Sequence, residues 1–405
     1  MSHKKEIIKN ILSFGSIDIF GLLIPIITMP ILTRALGPYQ YGIYMLIVTI
    51  LYFGHTVIDY GTQYTAVRTL ANNRKNQNNI KAIYSETQGL RVFLFSLYSI
   101  LVVLYLIFFT NIESLPFIVA SMLIYLLGYT ITPVWFYQGI AAVDTAMKIS
   151  LLVKLINLLV IILFVKTPND IIIVIASLCI PMLLGGVILS YIAHKKYHVR
   201  YPIFTKLRMS LSNGFDVFLG LLAPNLYNSI PTIVLGTIYP PSEFVNFAIA
   251  SRLASVVVTI QDVVAKALYP VLSRIKESPV IKLLLLNSII SIFPIAFLLI
   301  WGERCLLFFL GKNFSDVNLY LIIFTIGVLF IGLSNAFSKG FFLPKGLDRI
   351  YRNISLRISI LSAVICIFFI YYFGLIGGAI SITLARFLFF MDYYLTYIKF
   401  KKNNC

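Results

Sequence analysis

The chain has 405 residues, of which 59% are hydrophobic and only 12% charged, and its formal net charge is +18. Soluble domains are about 45–50% apolar and about 25% charged, so a single water-soluble core cannot absorb this apolar surplus. Bilayer-spanning helices can, because each satisfies its own backbone hydrogen bonds and needs only about 20 apolar residues. The composition therefore excludes an ordinary soluble domain and predicts an all-α polytopic membrane protein.

Apolar runs separated by polar interruptions predict about twelve transmembrane helices. In chain order the predicted spans are 12–33, 40–64, 92–110, 115–137, 149–166, 171–192, 212–236, 244–268, 283–301, 318–338, 354–373 and 376–398. The first run exceeds 20 residues and has no small-residue cleavage site after a short core. It is therefore predicted to be a retained helix and not a signal peptide.

Lysine and arginine residues fall mainly in alternate loops of this scheme. With the N-terminus in the cytoplasm, the outer loops hold only Arg34, Lys166, Arg304 and Lys312. Short cytoplasmic loops retain positive charge, so both termini are predicted to be cytoplasmic. The same pattern accounts for the net charge, and nucleic acid is not an expected partner.

An internal repeat relates the two halves of the chain. A shift of 199 residues aligns residues 12–37 with residues 211–236, and eleven of the 26 aligned positions are identical. Six plus six spans in the same direction predict two six-helix lobes, 1–200 and 201–405, related by a pseudo-two-fold axis along the membrane normal, with a substrate site between them. Each of the duplicate helices contains two prolines, which bend a helix. Such bends could serve gating, or they could be ordinary kinks that membrane helices tolerate.

Charged residues within spans are costly, and they usually face a cavity or a partner. The cations within the predicted spans or at a span end are Arg34, Lys154, Arg252, Lys266 and Arg386. Candidates for coupling or gating are Asp18, His55, Asp59, Asp216 and Asp262. Arg252 and Lys266 are 14 residues apart, which places them about 40° from eclipsed on one helix face.

Several of these residues have a second interpretation. Arg34 is replaced by Ile233 in the repeat, so the fold does not demand it, yet it could also be an arginine that reaches lipid headgroups. Asp262 lies four residues before Lys266, and the two could simply neutralise each other. His55 and Asp59 are also four apart and could form a proton-responsive pair. The alternative is that His55 satisfies a neighbouring polar group.

Aromatic and polar residues crowd the inner end of the fourth span. They are Pro133, Trp135, Tyr137 and Gln138. An interfacial aromatic belt is the favoured interpretation, and stacking against a ligand is the alternative.

Five short motifs occur in a specific order along the chain. They are PILTRALGPYQYG at 30–42, DYG at 59–61, PVWFYQG at 133–139, PKG at 344–346 and GLIGGA at 374–379. The ordered set resembles bacterial O-antigen and capsular polysaccharide flippases. These belong to the multidrug/oligosaccharidyl-lipid/polysaccharide exporter superfamily, which also contains multidrug extruders and peptidoglycan-precursor flippases.

This resemblance implies a V-shaped cavity between two six-helix lobes. It also implies a substrate of undecaprenyl diphosphate carrying one oligosaccharide repeat unit, moved from the cytoplasmic to the periplasmic leaflet by alternating access. A diphosphate that leaves water calls for buried arginine or lysine, so the five cations named above are the candidate substrate-binding residues. Membrane lipids, a polysaccharide polymerase and a chain-length regulator are the further expected partners.

Two other functions compete with this expectation. A multidrug cation extruder of the same superfamily would want unpaired carboxylates in an apolar cavity, and the motif order argues against it more than the balance of charges does. A glycan polymerase or ligase would need a large periplasmic loop, which the sequence lacks. No phosphate-cradling loop, metal-ligand spacing or clustered carboxylate–histidine set is present. The expectation is therefore a non-enzyme without a cofactor, and the sequence leaves open whether protons or sodium drive transport.

Overall fold

The computed structural model describes residues 3–110, 112, 115–199, 202–272, 280–314 and 316–403, without the side chains of 3–23, 266–272, 348 and 403. Helices make up almost all of this part, and it contains no strand. The α-helices are α1 (His3–Asp59), α2 (Thr62–Asn72), α3 (Gln77–Phe109), α4 (Leu115–Ile131), α5 (Val134–Gly139), α6 (Val143–Phe164), α7 (Ile171–Tyr197), α8 (Leu207–Leu222), α9 (Ser229–Ile238), α10 (Pro241–Leu272), α11 (Val280–Leu310), α12 (Val317–Phe337) and α13 (Asp348–Asn403).

Helices α1 and α13 are interrupted at glycines. Gly37 has φ 68° and ψ 176°, and Gly374 has φ 57° and ψ −134°. These backbone conformations are almost exclusive to glycine, since a Cβ would be strained against the local backbone. The two glycines lie in the predicted breaks between the first and second spans and between the eleventh and twelfth. The breaks of the predicted scheme therefore have a physical cause at both ends of the chain.

Nine helical segments in the described ranges are long and apolar enough to cross a membrane, or ten if the bent pair formed by α8 and α9 is one span. Two of the nine, Ile24–Asn72 and Arg349–Lys402, contain 49 and 54 residues. Each is long enough for two crossings, which need about 20 residues apiece. The predicted all-α polytopic membrane protein is confirmed, while the count of twelve stays a prediction.

Contacts divide the chain into two compact units. The central unit is Leu46–Asn225, and the terminal unit combines Met1–Met45 with Leu226–Cys405. This division does not follow the boundaries of the predicted lobes, 1–200 and 201–405. The two-lobe organisation with its pseudo-two-fold axis stays a prediction.

The core of the central unit is built around the short helix α5. Trp135 and Tyr137 are 1% and 0% exposed and pack with Leu70, Tyr84 and Leu189. The Trp135 indole donates a hydrogen bond to the Gln88 amide oxygen, and the Tyr137 hydroxyl donates to the Leu189 carbonyl. The aromatic-belt interpretation is therefore wrong, because these rings lie inside protein instead of facing lipid headgroups.

The core of the terminal unit gathers aromatic rings of α12, α13 and the segment that follows α12. Phe337, Phe342, Phe389 and Tyr393 are all buried. Between α12 and α13 the chain makes one π-helical turn, Ser338–Phe342. Turns of this type often occur at functional sites, and this one carries Lys339.

Candidate functional site

A buried ion pair joins three helices of the central unit. Arg91 Nη1 on α3 lies 3.0 Å from Asp59 Oδ1 at the end of α1, and the two side chains are 3% and 6% exposed. Asp59 also accepts a hydrogen bond of 2.9 Å from the Thr62 hydroxyl. Arg91 donates to the carbonyls of Tyr129 and Thr130 in the last turn of α4, where helical carbonyls lack partners. Every group of this network is therefore satisfied within protein.

The position of Arg91 corrects the topology scheme at one residue. Arg91 falls outside the predicted spans, in the inner segment between 40–64 and 92–110, because the apolar run begins at residue 92. In the structure it lies inside α3 and is buried. Sequence reasoning missed it as a functional candidate, although its neighbours Thr87 and Gln88 are polar and equally buried.

Of the two interpretations of His55, the pair with Asp59 does not form in the described structure. The His55 ring stacks on Tyr129, with ring centroids 3.7 Å apart, and on Tyr125 at 5.5 Å. Its Nε2 atom is buried and has no hydrogen-bond partner among the described residues. Asp59 is instead engaged by Arg91. A role of either residue in coupling or gating stays a prediction.

The terminal unit contains a second, more open ion pair. Lys339 Nζ lies 2.5 Å from Asp262 Oδ1, and the Asn335 amide donates to the same oxygen at 3.2 Å. Asp262 and Lys339 are 34% and 30% exposed. The sequence offers Lys266 as one possible partner of Asp262, but the Lys266 side chain lies outside the described residues. Lys339 directly follows the predicted span 318–338, and its separation of 77 residues from Asp262 leaves no sequence signal for the pairing.

Arg386 is the most deeply buried of the predicted cations whose side chains are described. It lies on α13, 8% exposed, and its Nη1 atom donates a hydrogen bond of 3.4 Å to the Phe324 carbonyl on α12. Within the described ranges no carboxylate lies within 4.0 Å of its guanidinium nitrogens. A buried arginine without a carboxylate partner is energetically costly and typical of an anion-binding position.

The other predicted residues are spread over both units. In the terminal unit Arg34 is exposed and donates to the Phe308 carbonyl of α11, and Arg252 on α10 is half-buried. In the central unit Lys154 on α6 is half-buried and Asp216 on α8 is exposed. The side chain of Asp18, like that of Lys266, lies outside the described residues.

Gln261 forms a neutral network in the terminal unit that joins three successive helices. Its amide nitrogen donates to the Ser291 hydroxyl at 2.7 Å and to the Val328 carbonyl at 3.4 Å. These contacts join α10, α11 and α12. An amide thus has the linking role that a charged pair has in the central unit.

Comparison with known proteins places this helical architecture in a family. A family model described as "Polysaccharide biosynthesis protein" matches residues 7–276. A protein of Shigella dysenteriae named as an O-antigen transporter is 26% identical over 94% of this chain and 97% of its own. A protein of Escherichia coli with the same name is 25% identical and covers 94% of each chain.

Solved structures share the fold across nearly the whole chain. An inward-facing multidrug resistance MATE family transporter of the MOP superfamily has a TM-score of 0.75 at 15% identity, with 95% of this chain and 96% of that chain covered. The lipid II flippase MurJ in an inward closed conformation has a TM-score of 0.68 at 14% identity, with 95% and 87% covered. Because the family model matches more than half of the residues, the chain belongs to the polysaccharide biosynthesis protein family.

Proposed function

We propose that this protein flips lipid-linked polysaccharide repeat units across the bacterial inner membrane. The substrate is a repeat unit of O-antigen or a related polysaccharide on undecaprenyl diphosphate, and it moves from the cytoplasmic to the periplasmic leaflet by alternating access. Two relatives that align over 94% of the chain are named as O-antigen transporters, and one solved structure of the same fold is a lipid II flippase. Family membership and fold support a transporter in preference to an enzyme.

The observation that carries the proposal is the burial of Arg386. A diphosphate presents several oxygen acceptors, and charge-assisted hydrogen bonds to it are about twice as strong as neutral ones. Arg386 has one long hydrogen bond to a carbonyl among the described residues, so most of its guanidinium donors are available to an anion. A buried arginine of this kind compensates the loss of water around the diphosphate.

The remaining candidates extend this role. Arg34, Lys154, Arg252 and Lys266 contribute positive charge along the path of the diphosphate. Transport is coupled to protons or sodium through residues among the carboxylates and the histidine, namely Asp18, His55, Asp59, Asp216 and Asp262. The substrate passes between lobes 1–200 and 201–405, both termini are cytoplasmic, and a polymerase with a chain-length regulator receives the product.

A multidrug cation extruder is the second candidate, because the MATE transporters share the fold. A cationic drug would need a carboxylate that is not already neutralised. Asp59 and Asp262 are both occupied by cations, Arg91 and Lys339. These ion pairs remove two of the four candidate aspartates from such a role and in this respect favour the flippase.

Deletion of the gene tests the proposal. We expect loss of long-chain surface polysaccharide with unchanged drug tolerance. Complementation with Arg386→Lys should restore a minor part of the polysaccharide, and Arg386→Ala almost none. Lysine keeps the positive charge but lacks the planar guanidinium that donates two hydrogen bonds side by side. Arg352→Ala on the exposed face of α13 is the matched control, and membrane protein levels are measured in parallel. Normal polysaccharide together with drug hypersensitivity in the deletion strain would favour the extruder.

A further inference from the structure

An apolar groove runs along α11 in the terminal unit. It encloses about 500 Å³ and is lined by residues of α10, α11 and α12, among them Val257, Leu298 and Leu321. Thr325 also lines it, but its hydroxyl already donates to carbonyls of its own helix. The lining therefore offers dispersion contacts to an apolar ligand and almost no hydrogen bonds.

The groove has the length of a lipid chain in one leaflet. Its residues on α11 extend from Pro294 to Phe309, about 20 Å of helix. Half of a bilayer's hydrocarbon core is about 15 Å thick, so the groove accommodates a chain and reaches the headgroup region. A concave apolar space of this kind in a membrane is filled by an apolar chain and not by water.

Two arginines mark one end of the groove. Arg304 is itself a lining residue and is exposed. Arg34, also exposed, donates to the carbonyl of Phe308, one helical turn beyond Arg304. Two guanidinium groups beside the end of an apolar chain complement a diphosphate, which presents acceptor oxygens on both phosphorus atoms. A lipid with a single phosphate has less to offer this pair.

We propose that the groove between α10, α11 and α12 binds the isoprenoid chain of the lipid carrier, with Arg304 and Arg34 at its diphosphate. This inference rests on the proposed function and assigns it a tail-binding site. The groove holds the part of the chain next to the diphosphate, and the remainder of the chain extends into the bilayer. Because Arg34 and Arg304 belong to the predicted outer loops, the groove holds the carrier in the outer leaflet, after its sugar has crossed.

Native mass spectrometry of the purified full-length protein tests the site, with undecaprenyl diphosphate as the probe. Leu298→Trp and Val257→Trp fill the groove from two different helices, which guards against one variant failing to fold. Ile300→Trp is the matched control, because that side chain is 66% exposed on α11 and is not part of the lining. We expect each filling variant to weaken binding at least tenfold and the control to bind as the wild type does.

The charged end is tested separately. Arg304→Ala should weaken binding of undecaprenyl diphosphate about tenfold, whereas Lys312→Ala, at an exposed position just after α11, should not. Competition with phosphatidylglycerol should be weak, and so should competition with free pyrophosphate. If phosphatidylglycerol competes as well as unlabelled undecaprenyl diphosphate does, the groove binds membrane lipids in general. If pyrophosphate competes equally well, the site recognises the headgroup only. Either result overturns the proposal.

The polysaccharide phenotype separates this inference from the proposed function. If the groove variants bind the carrier normally and the deletion strain still lacks surface polysaccharide, the groove assignment fails and the flippase stands. If the deletion strain has normal polysaccharide, the flippase proposal fails whatever the binding data show.

Discussion

Two arginine–aspartate pairs in this chain differ in how far they are exposed to solvent. The Arg91–Asp59 pair is almost fully buried, whereas in the Arg357–Asp392 pair the arginine is 65% and the aspartate 15% exposed. Removing one partner of a buried pair leaves an uncompensated charge away from water. An exposed pair is screened by water and contributes about 0–1 kcal/mol. Burial therefore decides which pair the fold depends on.

At this residue scale, Arg91→Ala should destabilise the protein by about 3–5 kcal/mol, because Asp59 would be left buried without a partner. Arg357→Ala should cost less than about 1 kcal/mol. Thermal unfolding of the two variants in one detergent measures the difference. The double variant Asp59→Ala with Arg91→Ala should be less damaging than the sum of the single variants. Equal, small shifts for both arginine variants would refute the role of burial.

At the scale of elements, the break in α1 depends on the backbone freedom of Gly37. A Cβ built there meets no atom within 4 Å, so space does not restrict the position. Gly220 in α8 also has open space for a Cβ, but its backbone is helical. Because a Cβ has open space at both positions, alanine substitutions at Gly37 and Gly220 differ only in the backbone strain at Gly37.

Gly37→Ala should destabilise the protein by about 1–3 kcal/mol, the usual cost of a side chain in this glycine-only conformation. Gly220→Ala should be neutral or stabilise by up to about 1 kcal/mol, since alanine is the better helix former. Melting temperatures of the two purified variants decide the matter. A larger loss for Gly220→Ala would show that the strain at Gly37 is unimportant.

Helices α4 and α7 approach each other through glycine. A Cβ at Gly128 would lie 2.7 Å from the Leu183 nitrogen, and a Cβ at Gly186 would lie 2.6 Å from the Gly128 carbonyl oxygen. Membrane helices pack closely where small residues meet. Both obstacles are backbone atoms, so a larger residue would have to move a whole helix.

Gly128→Ala should therefore cost about 1–3 kcal/mol through overpacking and lower the yield of monodisperse protein. Size-exclusion chromatography of detergent-solubilised membranes measures the yield. Gly220→Ala, which adds the same methyl group in open space, is the control. A normal elution profile and yield for the Gly128 variant would contradict the close packing of α4 on α7.

At the scale of the whole molecule, the distribution of positive charge predicts the orientation in the membrane. Lys345 and Lys312 are both exposed, in the segment after the π-helical turn and just after α11. The positive-inside rule places the first in the cytoplasm and the second outside.

In a background without native cysteines, a membrane-impermeant maleimide should label Lys312→Cys in intact spheroplasts. Lys345→Cys should be labelled only after the membrane is opened. Detergent-treated samples control for reactivity at both positions. Labelling of Lys345→Cys in intact spheroplasts would reverse the predicted topology and place both termini outside.

The sequence by itself determined that the protein resides in a lipid bilayer, its fold class and its family. Bilayer residence follows from composition, because no soluble core can hold so many apolar residues. Breaks near Gly37 and Gly374 follow from local sequence, since only glycine adopts those backbone conformations. The order of short motifs predicted the family that the comparison confirms.

Tertiary structure alone decided which charges are neutralised and which are not. Local spacing offers His55, four residues away, as one possible partner of Asp59, but its partner is Arg91, 32 residues away on another helix. Asp262 and Lys339 meet across 77 residues. Helical periodicity specifies which face of its own helix a residue lies on, but not which helix packs against that face. The burial of Trp135 and of Arg386 depends on this packing.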